Sequence, residues 1–209
     1  MKRLQLGVLA SGRGSNFEAI LKHIDAGRLL ADVRALASNR TSAGALKIAE
    51  RRNIPALVLS RKDFSSDEMF DQEILDFFRK NEVDFVVLAG YLRLLTAVLI
   101  QPYKNRILNI HPALLPSFGG KGMFGHHVHE AVLDYGCKVS GVTVHLVDET
   151  YDSGPIILQR CVPVQNGDTP DTLAARVLKQ EHQIFSEALQ LFAEERILIK
   201  GRRVYVQSS

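Results

Sequence analysis

Cysteine is scarce: Cys137 and Cys161 are the only two in 209 residues, and neither stands at a metal-ligand spacing. That excludes a disulfide-stapled scaffold and a zinc module, and it suits a reducing compartment. Charge of one sign is lacking too. There are 26 Lys and Arg against 23 Asp and Glu, a formal +3, with the basic residues scattered along the chain. Such a balance gives no electrostatic case for binding nucleic acid, although it fits an anionic small molecule. No apolar run approaches the length of a membrane span. Lys2 and Arg3 before residues 4–10 have the outline of a signal peptide. The apolar part is short, contains Gln5 and runs into a glycine loop, so a first β-strand is expected instead. The expectation is a soluble cytoplasmic protein, a monomer or homodimer, with no repeat, low-complexity tract or linker.

Strand and helix signals alternate through the first half, as in a parallel α/β sheet. Strands are predicted at residues 4–10, 33–37, 56–59 and 84–89. The first helix carries Phe17, Ile20, Leu21 and Ile24 on one face and stops at Gly27. A second carries Leu46 and Ala49. A third carries Phe70, Ile74, Phe77 and Phe78 behind a capping box of Ser65 and Glu68. After Pro112 comes a long loop to residue 124, a helix at about 128–135, and strands at 138–147 and 156–164. The last helix has Thr169 as its cap and Pro170 in its first turn, and runs to about residue 194. Residues 202–206 are predicted as an edge strand. One domain is enough for this length.

The segment Asn109-Ile110-His111-Pro112 follows the apolar pair Ile107 and Leu108. With residues 106–110 as a strand, Asn109 and His111 point to the same side, and Pro112 ends the element. An amide donor and an imidazole then stand together at a strand's carboxyl end, where open α/β sheets hold ligands. That is equipment for acyl chemistry: a neutral donor beside a group titrating near neutrality.

Gly12-Arg13-Gly14-Ser15-Asn16 joins the first strand to the first helix. Glycines allow close backbone approach, and the helix start offers free amides to an anion. A Walker loop is excluded by the missing Gly-Lys-Ser/Thr. A dinucleotide site is disfavoured by Phe17 in place of a small residue, and by Ser38 and Asn39 where an acid is expected. What stays open is a single phosphate, as on a phosphoribosyl group, or simply a tight turn.

Asp148, Glu149 and Asp152 lie in a loop after a sheet strand. They are either solvated or able to reach His111, where a carboxylate would favour imidazolium. Glu181 falls inside the apolar stripe Leu173, Val177, Ile184, Phe185, so it needs a buried partner: ribose hydroxyls or a salt bridge. His126, His129 and Glu130 match no zinc motif and are expected as a polar helix entrance over the site mouth. His145 is expected to be a hydrogen-bonded core residue. Residues 90–95 extend an apolar run past the fourth strand. They are either ordinary core or a wall for a flat heterocycle, with Arg93 meeting a carboxylate tail or solvated.

Ser11-Gly12-Arg13-Gly14-Ser15-Asn16, Ala89-Gly90-Tyr91-Leu92-Arg93, Asn109-Ile110-His111-Pro112-Ala113-Leu114-Leu115-Pro116, and Thr143-Val144-His145 through Asp152-Ser153-Gly154-Pro155 occur in that order. Across nearly its whole length the chain resembles the phosphoribosylglycinamide formyltransferase family of folate-dependent enzymes. The resemblance implies a Rossmann-like, mostly parallel sheet with flanking helices and an antiparallel component near the C-terminus. It implies a single formyltransferase domain over 1–209, with a phosphate-binding half to about 105 and a catalytic half from about 106.

By the same resemblance Asn109, His111 and Asp152 are catalytic. Gly12, Arg13, Gly14, Ser15, Asn16, Gly90, Pro112 and Glu181 meet glycinamide ribonucleotide. Tyr91, Leu92, Arg93, Leu94, Leu95, Val147 and Glu149 meet the co-substrate 10-formyltetrahydrofolate. No metal is implied. Two departures stand out: residues 119–127 form a longer loop than in many relatives, and Leu178 stands where relatives often carry a polar or basic residue near the phosphate, a missing charge that Arg13 is expected to supply.

A formyltetrahydrofolate hydrolase is a rival, although such enzymes usually carry a domain before the first strand, for which a start near Leu4 leaves no room. Formyl transfer to methionyl-tRNA calls for a longer chain. Sugar-nucleotide formyl transfer and a non-catalytic nucleotide-binding module complete the alternatives.

Overall fold

The computed structural model describes residues 1–208. A seven-stranded sheet is built from β1 (Leu4–Leu9), β2 (Ala31–Ser38), β3 (Ala56–Val58), β4 (Phe85–Leu88), β5 (Ile107–His111), β6 (Val139–Leu146) and β7 (Ile156–Pro163), in the order β3-β2-β1-β4-β5-β6-β7. Pairs among β1 to β5 are parallel, and β6 and β7 join antiparallel. The central strands are covered on both faces, and β4 is buried at all four positions, as its continuous apolar run requires.

Helices α1 (Ser15–Asp25), α2 (Gly44–Arg51), α5 (His126–Asp134) and α6 (Pro170–Ala193) pack over one apolar layer, in which Phe17, Ile20, Leu173, Val177 and Phe185 are buried. Helices α3 (Asp67–Lys80) and α4 (Ala97–Ile100) cover the opposite layer through Phe70, Ile74, Phe78 and Leu99. Helix α6 starts as its sequence dictates. The Thr172 amide donates to the Thr169 hydroxyl, and the Thr172 hydroxyl accepts from the Thr169 amide. The sheet's crevice opens where β1 has neighbours leading in opposite directions, β2 on one side and β4 on the other, at the strands' carboxyl ends.

Three expectations need correction. Residues 202–206 do not extend the main sheet: β9 (Arg203–Val206) pairs antiparallel with β8 (Ile197–Lys200) in a hairpin of its own, turning at Gly201 with φ +59°. The cap of α3 is Ser66, whose hydroxyl accepts from the Met69 amide, while Ser65 turns to the Met69 sulfur. The fifth strand runs one residue further than expected, so His111 is held by the sheet and not by the loop after it.

Candidate active site

A cavity of about 900 Å³ lies over the carboxyl ends of β1, β4 and β5 and reaches α6. Asn109 and His111 project into it from alternate positions of β5, as period-two geometry requires. Strand pairing sets Asn109 opposite His145 on β6. The buried His145 ring is 2.8 Å from the Leu146 carbonyl through Nδ1, so Nδ1 carries the hydrogen and Nε2 is left to accept. Nε2 accepts from the Asn109 amide nitrogen at 3.0 Å. His145 is thus a hydrogen-bonded buried residue, as expected, and it also orients Asn109.

His111 is buried, and its Nε2 donates to the Phe118 carbonyl at 2.8 Å. Its Nδ1 is left 3.5 Å from Asp152 Oδ2. Asp152 sits in the left-handed region, with φ +52°; its carboxylate accepts from the Gly120 amide at 2.9 Å and, through a long 3.4 Å bond, from Asn109, and it lies 3.6 Å from the His145 ring. Burial alone would raise the Asp152 pKa. The His145 ring, the His111 ring and the Gly120 amide outweigh it, and the carboxyl titrates below its ordinary range. For His111 the balance runs the other way. Burial is the largest influence and exceeds the pull of Asp152 and of the Phe118 carbonyl, so the pKa falls and the neutral ring is favoured. This corrects the expectation of imidazolium: a carboxylate neighbour does not offset the depth of the ring.

At the other end of the cavity, Gly14 caps α1 with φ +83° and lies 2.9 Å, measured from an ideal Cβ, from the Ala45 backbone of α2. Only glycine meets both constraints. Gly14 turns the chain but does not itself line the cavity; Gly12, Arg13, Ser15 and Asn16 do, as do Gly90 and Pro112. Arg13 is exposed. Asn16 donates to Glu181 Oε2 at 2.7 Å. Burial raises the Glu181 pKa against the opposing effect of that bond. Its partner is therefore a neutral amide, where a salt bridge was one expectation. Asn16 Oδ1 is buried with no partner among the described residues.

Tyr91, Leu92, Leu94, Leu95 and Val147 form an apolar wall between these ends. Arg93 also borders the cavity, but its guanidinium is neither solvated nor free. It pairs with Asp67 at 2.6 Å and lies 4.5 Å from the Phe70 ring centroid. Glu149 lies off the cavity, exposed, where it accepts from Gln101 at 3.2 Å. His126 and His129 stand at the mouth as expected. His129 is buried and held down to about 4 by burial first, then by His126 and His111. Glu130 turns outward to His127 at 3.2 Å. Among the described residues no group of three or more His, Cys, Asp or Glu could hold a metal ion. Ala174 and Ala175 of α6 line the cavity beside Leu178 and were not foreseen. Their small size on the helix face carrying Glu181 was the available signal.

A titrating imidazole, a carboxamide and a carboxylate on one rim, facing an anion-ready helix start, define a group-transfer site. The family model described as formyl transferase matches residues 4–189, and the chain belongs to that family. Its relatives include the chloroplastic phosphoribosylglycinamide formyltransferases of Vigna unguiculata, 44% identical over 95% of this chain and 64% of the relative, and of Arabidopsis thaliana, 46% identical over 94% and 68%. The chain thus spans about two thirds of the length of these curated relatives. The crystal structure of glycinamide ribonucleotide transformylase 1 from Symbiobacterium toebii is 42% identical, with a TM-score of 0.93 over 99% of this chain and 95% of that one.

Proposed function

We propose that the chain transfers a formyl group from 10-formyltetrahydrofolate to the glycyl amine of glycinamide ribonucleotide, a step of purine biosynthesis. One observation carries the reading: Asn109, His111 and Asp152 converge on a cavity that also reaches Asn16 and Glu181. Its volume, about 900 Å³, is at the upper end for small-molecule sites and leaves room for two reactants. The first turn of α1, with Arg13, takes the phosphate. Ribose hydroxyls give Asn16 Oδ1 the partner it lacks and bond Glu181 beside it. The wall of residues 91–95 and Val147 takes the flat folate ring. We read 1–209 as one domain, the phosphate half running to about 105 and the catalytic half from about 106.

The amine nitrogen forms a bond to the formyl carbon, and the carbonyl oxygen takes up the negative charge. Asn109 exchanges its long bond to Asp152 for this oxygen. His111 Nδ1, the ring atom that Phe118 leaves free, donates to it once protonated. Asp152 stays ionised: it orients the water through which the proton shed by the amine passes to His111 Nδ1, and it stabilises the imidazolium so formed. Breaking the bond to the folate nitrogen then restores the carbonyl and releases the formylated product, and that nitrogen leaves with the proton held by His111, whose ring returns to its neutral form.

Glu149 is dropped from the folate contacts because it lies off the cavity. Both cysteines are free thiols, and a reducing compartment such as the cytoplasm is the setting we assign. No helix among the described residues is long and apolar enough to cross a membrane. The test supplies 10-formyltetrahydrofolate with and without glycinamide ribonucleotide and identifies products by mass. A formylated ribonucleotide only when both are present supports the reading. Formate released in both tubes makes the protein a hydrolase, and binding without turnover makes it a non-catalytic module.

A further inference from the structure

Asn39 stands where a dinucleotide site would carry its ribose-binding acid, and the proposed reaction gives it nothing to do. It is tied instead to Ser11, which is 2% exposed at the end of β1. The Ser11 hydroxyl donates to Asn39 Oδ1 at 2.6 Å and accepts from the Leu92 amide at 3.0 Å. Its own amide donates to the Gly90 carbonyl at 3.1 Å. One small side chain therefore fastens together the loops that follow β1, β2 and β4. Two of these loops border the cavity from different sides: Gly12 and Arg13 follow Ser11 directly, and Leu92 belongs to the apolar wall.

We propose that Ser11 is a positioning residue that couples the two substrate subsites, so that filling the glycine turn tightens binding at the wall of residues 91–95, and the reverse. This rests on the assignment of those subsites to ribonucleotide and folate. The physical ground is that the hydroxyl has no spare geometry. Its hydrogen points at Asn39 and one of its two lone pairs holds the Leu92 amide, so a shift of the glycine turn is passed to the backbone of the wall. Linkage then requires equal effects in both directions. Asn39 supplies the acceptor that fixes the hydroxyl's rotation, which explains why an amide oxygen suffices where a dinucleotide site needs a carboxylate.

The test uses tetrahydrofolate, which carries no formyl group and cannot turn over. Calorimetric titrations are run with and without saturating glycinamide ribonucleotide. In the parent protein the ribonucleotide should tighten tetrahydrofolate binding about fivefold or more, the lower end of usual coupling. In Ser11→Ala the Leu92 amide loses its acceptor. Tetrahydrofolate alone should bind about five- to tenfold more weakly, and the coupling factor should fall toward one. Asn39→Asp keeps an acceptor oxygen and should retain the coupling. If Ser11→Ala does not fold, Asn39→Ala carries the test, because it frees the hydroxyl but leaves the Leu92 bond in place, and the coupling factor should still drop. A parent that binds both compounds, with coupling absent or left unchanged by Ser11→Ala and Asn39→Ala, overturns this inference and spares the functional reading. A parent that binds neither compound defeats both.

Discussion

Replacing Glu181 by glutamine should stabilise the protein at neutral pH and weaken its hold on the ribonucleotide. The carboxyl is buried on α6 with the Asn16 amide as its partner, and burial raises its pKa. A carboxyl whose pKa is higher folded than unfolded binds more protons in the native state between the two values. Its stabilising effect is therefore full below the ordinary glutamate range and is lost as pH climbs through the raised value. Glutamine keeps an acceptor oxygen for Asn16 and carries no charge. An incompletely compensated buried polar group costs about 1–3 kcal/mol. At about 2–4 °C per kcal/mol for a chain of this size, Glu181→Gln should melt about 2–12 °C higher near pH 8. The gap should close toward about pH 4, where the parent's carboxyl is protonated as well. The same exchange turns a charge-assisted bond to ribose into a neutral one, so KM for the ribonucleotide should rise about tenfold. Scanning calorimetry at stepped pH and steady-state kinetics read both effects. A glutamine variant that melts below the parent near neutral pH, or that keeps the parental KM, refutes the reasoning.

Asn109→Ala and His111→Ala should each lower turnover by at least about 10²–10³ while circular dichroism stays native, and near-normal turnover in either removes that residue from the reaction. Asp152→Asn removes the pull that opposes burial at His111, so turnover should fall and the His111 pKa should drop further; an unchanged histidine titration by NMR dissolves the pairing. Gly154→Ala should be worse than an ordinary loop substitution, because a Cβ there would overlap the Leu146 carbonyl oxygen and dislodge the loop that carries Asp152. Displacing a reacting group by about 1 Å costs on the order of 10² in rate, so a variant with parental kcat would show that the loop can yield elsewhere.

What could be read in the chain was whatever short-range periodicity encodes. Period two set Asn109 and His111 on one side of β5, and the helical stripe marked Glu181 as an inward carboxylate. The Thr169 cap followed from local chemistry alone. What escaped depends on contacts between distant segments. Arg93 is neutralised by Asp67, 26 residues earlier, and no local pattern announces the pair. The charge state of His111 turns on burial depth, which a neighbouring acid in the sequence does not report. Adjacent serines at 65 and 66 both suit a cap, and the backbone's entry into α3 chose the second. The hairpin of β8 and β9 was half seen because its first strand follows α6 after only a short turn.

The pairing of Asn109 with His145 across β5 and β6 has an evolutionary corollary. A reaction centre written into strand alignment cannot wander by small steps, since slipping one strand by a single residue turns every side chain to the opposite face. Innovation in this scaffold is therefore channelled to the surrounding loops, which are free to acquire new acceptors while the donor chemistry is inherited intact.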